Sequence, residues 1–82
     1  MQKVSVKSQL GRWDNAAATV IAASRRDAGL TQSQLAEAMG WKRSVIARLE
    51  TGERPLRFAE FMVLARVLKI SPEALLARVL KW

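Results

Sequence analysis

The 82-residue sequence has no cysteine and no histidine. Without cysteine there is no disulfide framework and no thiolate metal site, which fits a reducing compartment. Without histidine, metal binding and histidine-based acid–base catalysis drop out. Serines and lysines are present, but no base stands beside them to activate a nucleophile. An enzyme, a bound metal and a cofactor are therefore not expected. Aromatic residues are few, at 6%. No apolar run reaches the roughly 18–20 residues of a membrane span. The N-terminal MQKVSVKSQLGRWDN lacks the apolar stretch of a secretory signal, so a cytoplasmic location is expected. Neither an internal repeat nor a low-complexity tract is present.

Basic residues dominate what remains. Fourteen lysines and arginines stand against seven acids, for a net charge of +7. A small basic domain is drawn to polyanions, whether nucleic acid or an anionic membrane surface. Half of the residues are apolar, enough for one small and rather thin core.

The most informative stretch is QSQLAEAMGWKRSVIARLET, residues 32–51. Leu35, Ala36 and Met39 line one face of a short helix, and Ile46 and Leu49 line one face of a second. Gly40 can take the left-handed conformation that ends the first of these. Thr31-x-x-Gln34 is a capping box for its start. Two short helices joined so tightly must pack on each other, and Ala36 is small enough to let them approach. This is the pattern of a helix-turn-helix, whose second helix lies in the DNA major groove.

GLTQSQLAEAMG followed by SVIARLETGERP closely resembles the lambda-repressor-like, Cro-type (XRE) DNA-binding family. The resemblance runs from about Ile21 to Leu76, with Leu64, Ala65, Leu68, Ile70 and Leu75 following at family spacing. It implies an all-α fold of five helices with the helix-turn-helix at helices 2 and 3. It also implies roles for particular residues. Arg25, near the end of helix 1, would pair with Glu50, near the end of helix 3. Gln32 would bond a DNA phosphate and brace the recognition helix. Arg43, Ser44, Ala47 and Arg48 would meet base edges. Arg54 and Arg57 would touch the phosphate backbone. Lys42 departs from the family, because it stands where a capping serine or threonine is usual; a DNA phosphate beside it would compensate.

An arginine fork suits guanine O6 and N7, so Arg43 and Arg48 are the candidate readers of G·C pairs, and Ala47 suits a thymine methyl. From Trp41 to Leu49 there are three positive charges and no negative one. Trp41 reads as a shield over the junction of helices 2 and 3, in preference to a stacking platform for the sugar-phosphate backbone.

The ends of the chain are less determinate. Residues 1–13 are read as an N-terminal arm or an extension of helix 1, and residues 14–82 as the DNA-binding domain. Val4 and Val6 alternate with polar residues as in a short strand, although a frayed arm is the plainer reading. Asp14 or Asn15 could cap helix 1, yet Leu10, Trp13, Ala17 and Ile21 also share helical spacing and move the start towards Ser8. Gly29 stops that helix. Helix 4 is expected over Arg57–Leu68, with Phe58, Phe61, Met62, Leu64, Ala65 and Leu68 as its apolar stripe and Val63 and Val67 outside it. Ser71 caps helix 5, Pro72 takes its first position and Glu73 supports its positive end.

Leu76, Leu80 and Trp82 are more apolar than a short terminal helix needs. With Val63 and Val67 they are the candidate dimer contact. The expected function is a sequence-specific double-stranded-DNA regulator acting as a homodimer on a palindromic operator, repressing by occlusion at the nucleoid. The alternatives are an antitoxin that holds a toxin protein on the C-terminal surface, or a restriction-modification controller. A membrane-active helical protein is disfavoured by the caps and turns. At this size there is no room for a ligand-sensing module, so no small-molecule partner is expected.

Overall fold

The computed structural model describes residues 5–82 and builds them from five helices: α1 (Val6–Asp27), α2 (Gln32–Met39), α3 (Arg43–Glu50), α4 (Phe58–Val67) and α5 (Pro72–Lys81). The order and number match the expectation for the lambda-repressor-like fold. No strand occurs among the described residues.

The first helix is longer than the cap signals suggest. Asp14 and Asn15 lie inside it, and Ser5 is the N-cap, its hydroxyl accepting from the Ser8 amide at 3.1 Å. Val6 is therefore helical and belongs to no strand; Val4 and Lys3 lie outside the described residues. Gly11 does not break the helix, because the following alanine-rich run propagates it.

Helix ends follow a shared device. At Gly29 (φ 74°) and Gly40 (φ 70°) the chain turns left-handed. The next amide then reaches back to the last turn, Leu30 to the Arg25 carbonyl and Trp41 to the Ala36 carbonyl, which satisfies acceptors the helix would otherwise leave open. The same pattern ends α4, where the Ile70 amide donates to Ala65 and Lys69 takes φ 58° in place of a glycine. The Thr31 hydroxyl accepts from the Gln34 amide at 3.0 Å while Gln34 accepts from the Thr31 amide at 2.8 Å, completing the capping box. Ser71 accepts from the Ala74 amide, with Pro72 beginning α5.

The core lies where the five helices meet, each contributing buried side chains. Ile21, Leu35, Ile46, Leu64 and Leu75 are fully buried, with Leu49 almost so. Each such side chain contributes about 1.5–3 kcal/mol of transfer free energy. Ala36 and Ala65, equally buried, keep α2, α3 and α4 close, since a larger side chain would push the helices apart.

Two expectations for the apolar faces need correction. Phe58 is 80% exposed. It shares the helical stripe of Phe61, Leu64 and Leu68, but it sits in the first turn of α4, past the edge of the core. Val67 is half-buried and packs against the core, because α4 contacts α2 as well as α5 and so buries a wider arc than one stripe. Among the described residues no helix is long and apolar enough to cross a membrane.

Candidate nucleic-acid interface

Helix α3 is the structural centre of the candidate interface. Ile46 and Leu49 point into the core. Ser44 and Arg48, two residues to either side of Ile46, fall on the opposite side of the helix and are exposed, as are Lys42 and Arg43 at its start, while Ala47 is half-buried. Val45 is also half-buried and turned partly inward. Arg43 and Lys42 make no ion pair among the described residues; Arg48 lies 3.7 Å from Glu53, both about two-thirds exposed. An open pair of that kind contributes little and yields readily. The outer face of α3 therefore presents exposed cations, with Glu53 beside Arg48 as the one acid near them among the described residues.

The helix is held from its C-terminal end by Glu50. Arg25 donates twice to that carboxylate, from Nε at 2.7 Å and Nη2 at 3.1 Å, and its Nη1 donates to the Leu30 carbonyl at 2.8 Å. Gln32 Nε2 adds a donor to Glu50 at 3.0 Å. Arg25, Glu50 and Gln32 thus join the end of α1, the following turn, the start of α2 and the end of α3. The hydrogen bonds to Glu50 outweigh the desolvation of the guanidinium and hold the Arg25 pKa above its ordinary value. A charge pair with side chains only 10% and 5% exposed fixes orientation more than it adds net stability.

A second attachment was not visible in the sequence. Arg54 donates to both oxygens of Glu60, at 3.0 and 2.7 Å. Its guanidinium carbon lies 4.9 Å from the centroid of the Trp41 ring, within cation–π range. Its own amide donates to the Arg48 carbonyl at 3.2 Å. The residue links the turn before α3, the C-terminal part of α3 and the first turn of α4. Glu60 also accepts from the Arg57 amide at 2.9 Å and so caps α4. Arg54 is the main cause that pulls the Glu60 carboxyl below the ordinary carboxylate range. The six-residue separation of Arg54 and Glu60 crosses a loop and fits no helical period, which is why no local pattern reveals it.

The remaining candidates fall in different places. Gln32 spends one amide hydrogen on Glu50, leaving the other for an outside acceptor. Lys42 is the N-cap of α3 and makes no side-chain capping bond. Arg57 lines a groove between α1, α4 and α5 with Trp13 and Leu56. Trp41 is half-buried and packs on the core, in the position of a shield. The five apolar residues grouped as a dimer contact do not line one surface. Leu76 and Leu80 line the groove just named, Val63 lines a hollow with Met62 and Arg66, and Trp82 lines another with Val20 and Ala23.

A helix-turn-helix family model matches residues 21–75, well over half of the chain and spanning α2, α3 and α4. The chain belongs to the XRE, lambda-repressor-like helix-turn-helix family. As an XRE-type protein it carries a DNA-binding domain of the kind used by transcriptional regulators. Among solved structures, an XRE-family like protein from Pseudomonas syringae pv. tomato is similar at 34% identity, with a TM-score of 0.73 over 83% of this chain and 82% of that one. Two structures of the clp gene regulator ClgR from Corynebacterium glutamicum share the fold, each with a TM-score of 0.79 at 22% identity over 84% of this chain, and 73% and 90% of theirs. No curated protein matches the sequence.

Proposed function

We propose that this XRE-type protein is a sequence-specific binder of double-stranded DNA that regulates transcription, and that α3 enters the major groove. One observation carries the reading: the outward face of α3, with Lys42, Arg43, Ser44 and Arg48 open and no acid on it, stands on a helix tied down by Arg25–Glu50 and by Arg54–Glu60. Base reading needs forked donors held rigidly at the depth of the base edges. Arg43 and Arg48 are the readers of guanine, Ser44 and Ala47 their neighbours along the groove. Gln32, Lys42 and Arg57 supply phosphate contacts that position the domain without choosing sequence. Arg54 is engaged by Glu60 and acts first by holding α3, with any phosphate contact secondary.

The working unit is a homodimer with two-fold symmetry, which sets two copies of α3 about 34 Å apart on a palindromic operator. Repression follows from occupying a promoter. Selection of bound sites from random duplex DNA tests the reading. A recovered palindrome with G·C pairs at equivalent positions of each half supports it, and equal retention of all sequences overturns it. The exposed Leu76, Leu80 and Trp82 favour a second reading, an antitoxin that holds a toxin protein there. Co-purification of a stoichiometric neighbouring gene product would separate the two.

A further inference from the structure

The N-terminal part of α1 projects beyond the core, and every described residue from Ser5 to Trp13 is exposed. Its apolar residues are not scattered. Val6, Leu10, Trp13 and Ala17 follow each other at intervals of four, three and four, the spacing of a coiled-coil seam. Val6 is 71%, Leu10 61% and Trp13 43% open to solvent. At its inner end the seam runs into the groove lined by Trp13, Ala17, Phe58, Leu76 and Leu80. Phe58, Leu76 and Leu80 are also largely exposed. Large apolar side chains gathered on one exposed face, and not scattered singly, mark an interaction surface.

We infer that a second copy of the chain covers this strip, with the two α1 helices packed antiparallel about a two-fold axis near residues 11 and 12. The inference rests on the homodimer reading and deepens it by naming the surface. The strip is self-complementary in that register. Leu10 stacks on the partner's Trp13, and Val6 on the partner's Ala17, so the bulkier and smaller side chains alternate across the seam. Seated on Ala17, the first turn of each α1 covers the mouth of the other copy's groove beside Leu76 and Leu80.

Charge points to the same register. In an antiparallel pair, residues that flank the seam on the same side meet each other. Here these are Lys7 and Asp14, which would pair twice by symmetry. Neither makes an ion pair within its own chain among the described residues. Two copies that each carry +7 repel at long range, so an opposite-sign contact at the seam is what a self-association surface on this chain needs. In a parallel pair Lys7 and its copy would lie on opposite sides of the seam, as would the two copies of Asp14, and the Lys7–Asp14 contact would be lost. Val63 and Trp82, which open onto other hollows, take no part.

The test is sedimentation equilibrium on the full chain and on Leu10→Asp, K7D and D14K, with circular dichroism to establish that each remains folded. The wild type is expected to dimerise and Leu10→Asp to be monomeric at the same concentration. K7D and D14K each set like charges across the seam and weaken self-association by about tenfold or more. A mixture of K7D with D14K restores both cross-pairs, so it forms a heterodimer more tightly than either variant pairs with itself. A monomeric wild type, unchanged dimerisation of the single variants, or a mixture no tighter than its components overturns the inference. Seam residues found to hold a different protein while self-association is unaffected do so as well. Because the readout is assembly and not DNA binding, a protein that pairs through α1 but prefers no DNA sequence would refute the DNA reading alone.

Discussion

The side-chain oxygen of Asn15 on α1 lies 2.7 Å from the point where a Cβ on Gly52 would stand. Gly52 ends α3 with φ 83°, so the long first helix and the exit of α3 meet at a residue that has no side chain to spare. Gly52→Ala is expected to destabilise the fold by about 1–2 kcal/mol, chiefly through the left-handed backbone. Asn15 can swing aside, so adding Asn15→Ala should recover only a minor part. Urea unfolding of Gly52→Ala, Asn15→Ala and the double variant measures this; full recovery in the double variant would put the cost in the steric contact instead.

Arg25→Ala leaves the Glu50 carboxylate buried with only the Gln32 amide as a side-chain partner. The expected loss is about 3 kcal/mol, at the lower end for breaking a buried pair because one donor remains. Replacing both Arg25 and Glu50 with methionine should cost less than the single change, since no orphaned charge is left. Denaturant midpoints of the single and double variants decide it.

The fold and the framework that carries the candidate interface were legible because their signals are local. Thr31 and Gln34 are three residues apart, Gly40 marks a turn by itself, and Ile46 and Leu49 define a helix face within one turn. The start of α1 was ambiguous because Asp14 and Asn15 are good caps wherever a helix begins, and the cap actually used is Ser5, bonded to the Ser8 amide. Phe58 matched the apolar period of α4, yet periodicity cannot tell where a core ends. The Arg54–Glu60–Trp41 attachment joins three segments across two loops, and nothing in residue spacing carries that information.

Acid sensitivity should pass through Glu60. Its carboxyl is held below the ordinary range by Arg54, so the folded state binds that proton less readily than the unfolded chain. The stabilisation is complete above the ordinary carboxylate range and fades as pH falls through the lowered value. Glu60→Gln is expected to lower stability at neutral pH by about 1–2 kcal/mol and to flatten the acid limb of the stability profile. The raised values of Arg25 and Arg54 keep both charged throughout this window, so they add no slope of their own. Thermal melts from neutral to acid pH for both proteins provide the comparison.

On DNA, Arg43 and Arg54 should separate cleanly. Arg43→Ala is expected to leave the fold intact, cost about 1–3 kcal/mol on the preferred site and relax choice at one base pair. Arg54→Ala should weaken all sequences alike while also lowering the melting temperature, because it releases Glu60 and Trp41. Binding titrations on matched and singly mismatched duplexes, beside thermal melts, test both. Uniform weakening by Arg43→Ala would remove it from base reading.

Lys69 stands at φ 58° where the equivalent turns after α1 and α2 use glycine. Lys69→Gly should therefore stabilise the protein by up to about 1 kcal/mol, relief of the left-handed strain exceeding the greater freedom of glycine in the unfolded chain. A rise in the urea midpoint with an unchanged slope is the expected result.

Lys42 leaves the first turn of α3 without a side-chain acceptor. A serine there would make the free domain sturdier, yet it would also fill, from within, the place where an incoming anion can complete the helix. An anion bound at that turn would therefore steady the fold as well as hold the domain in place.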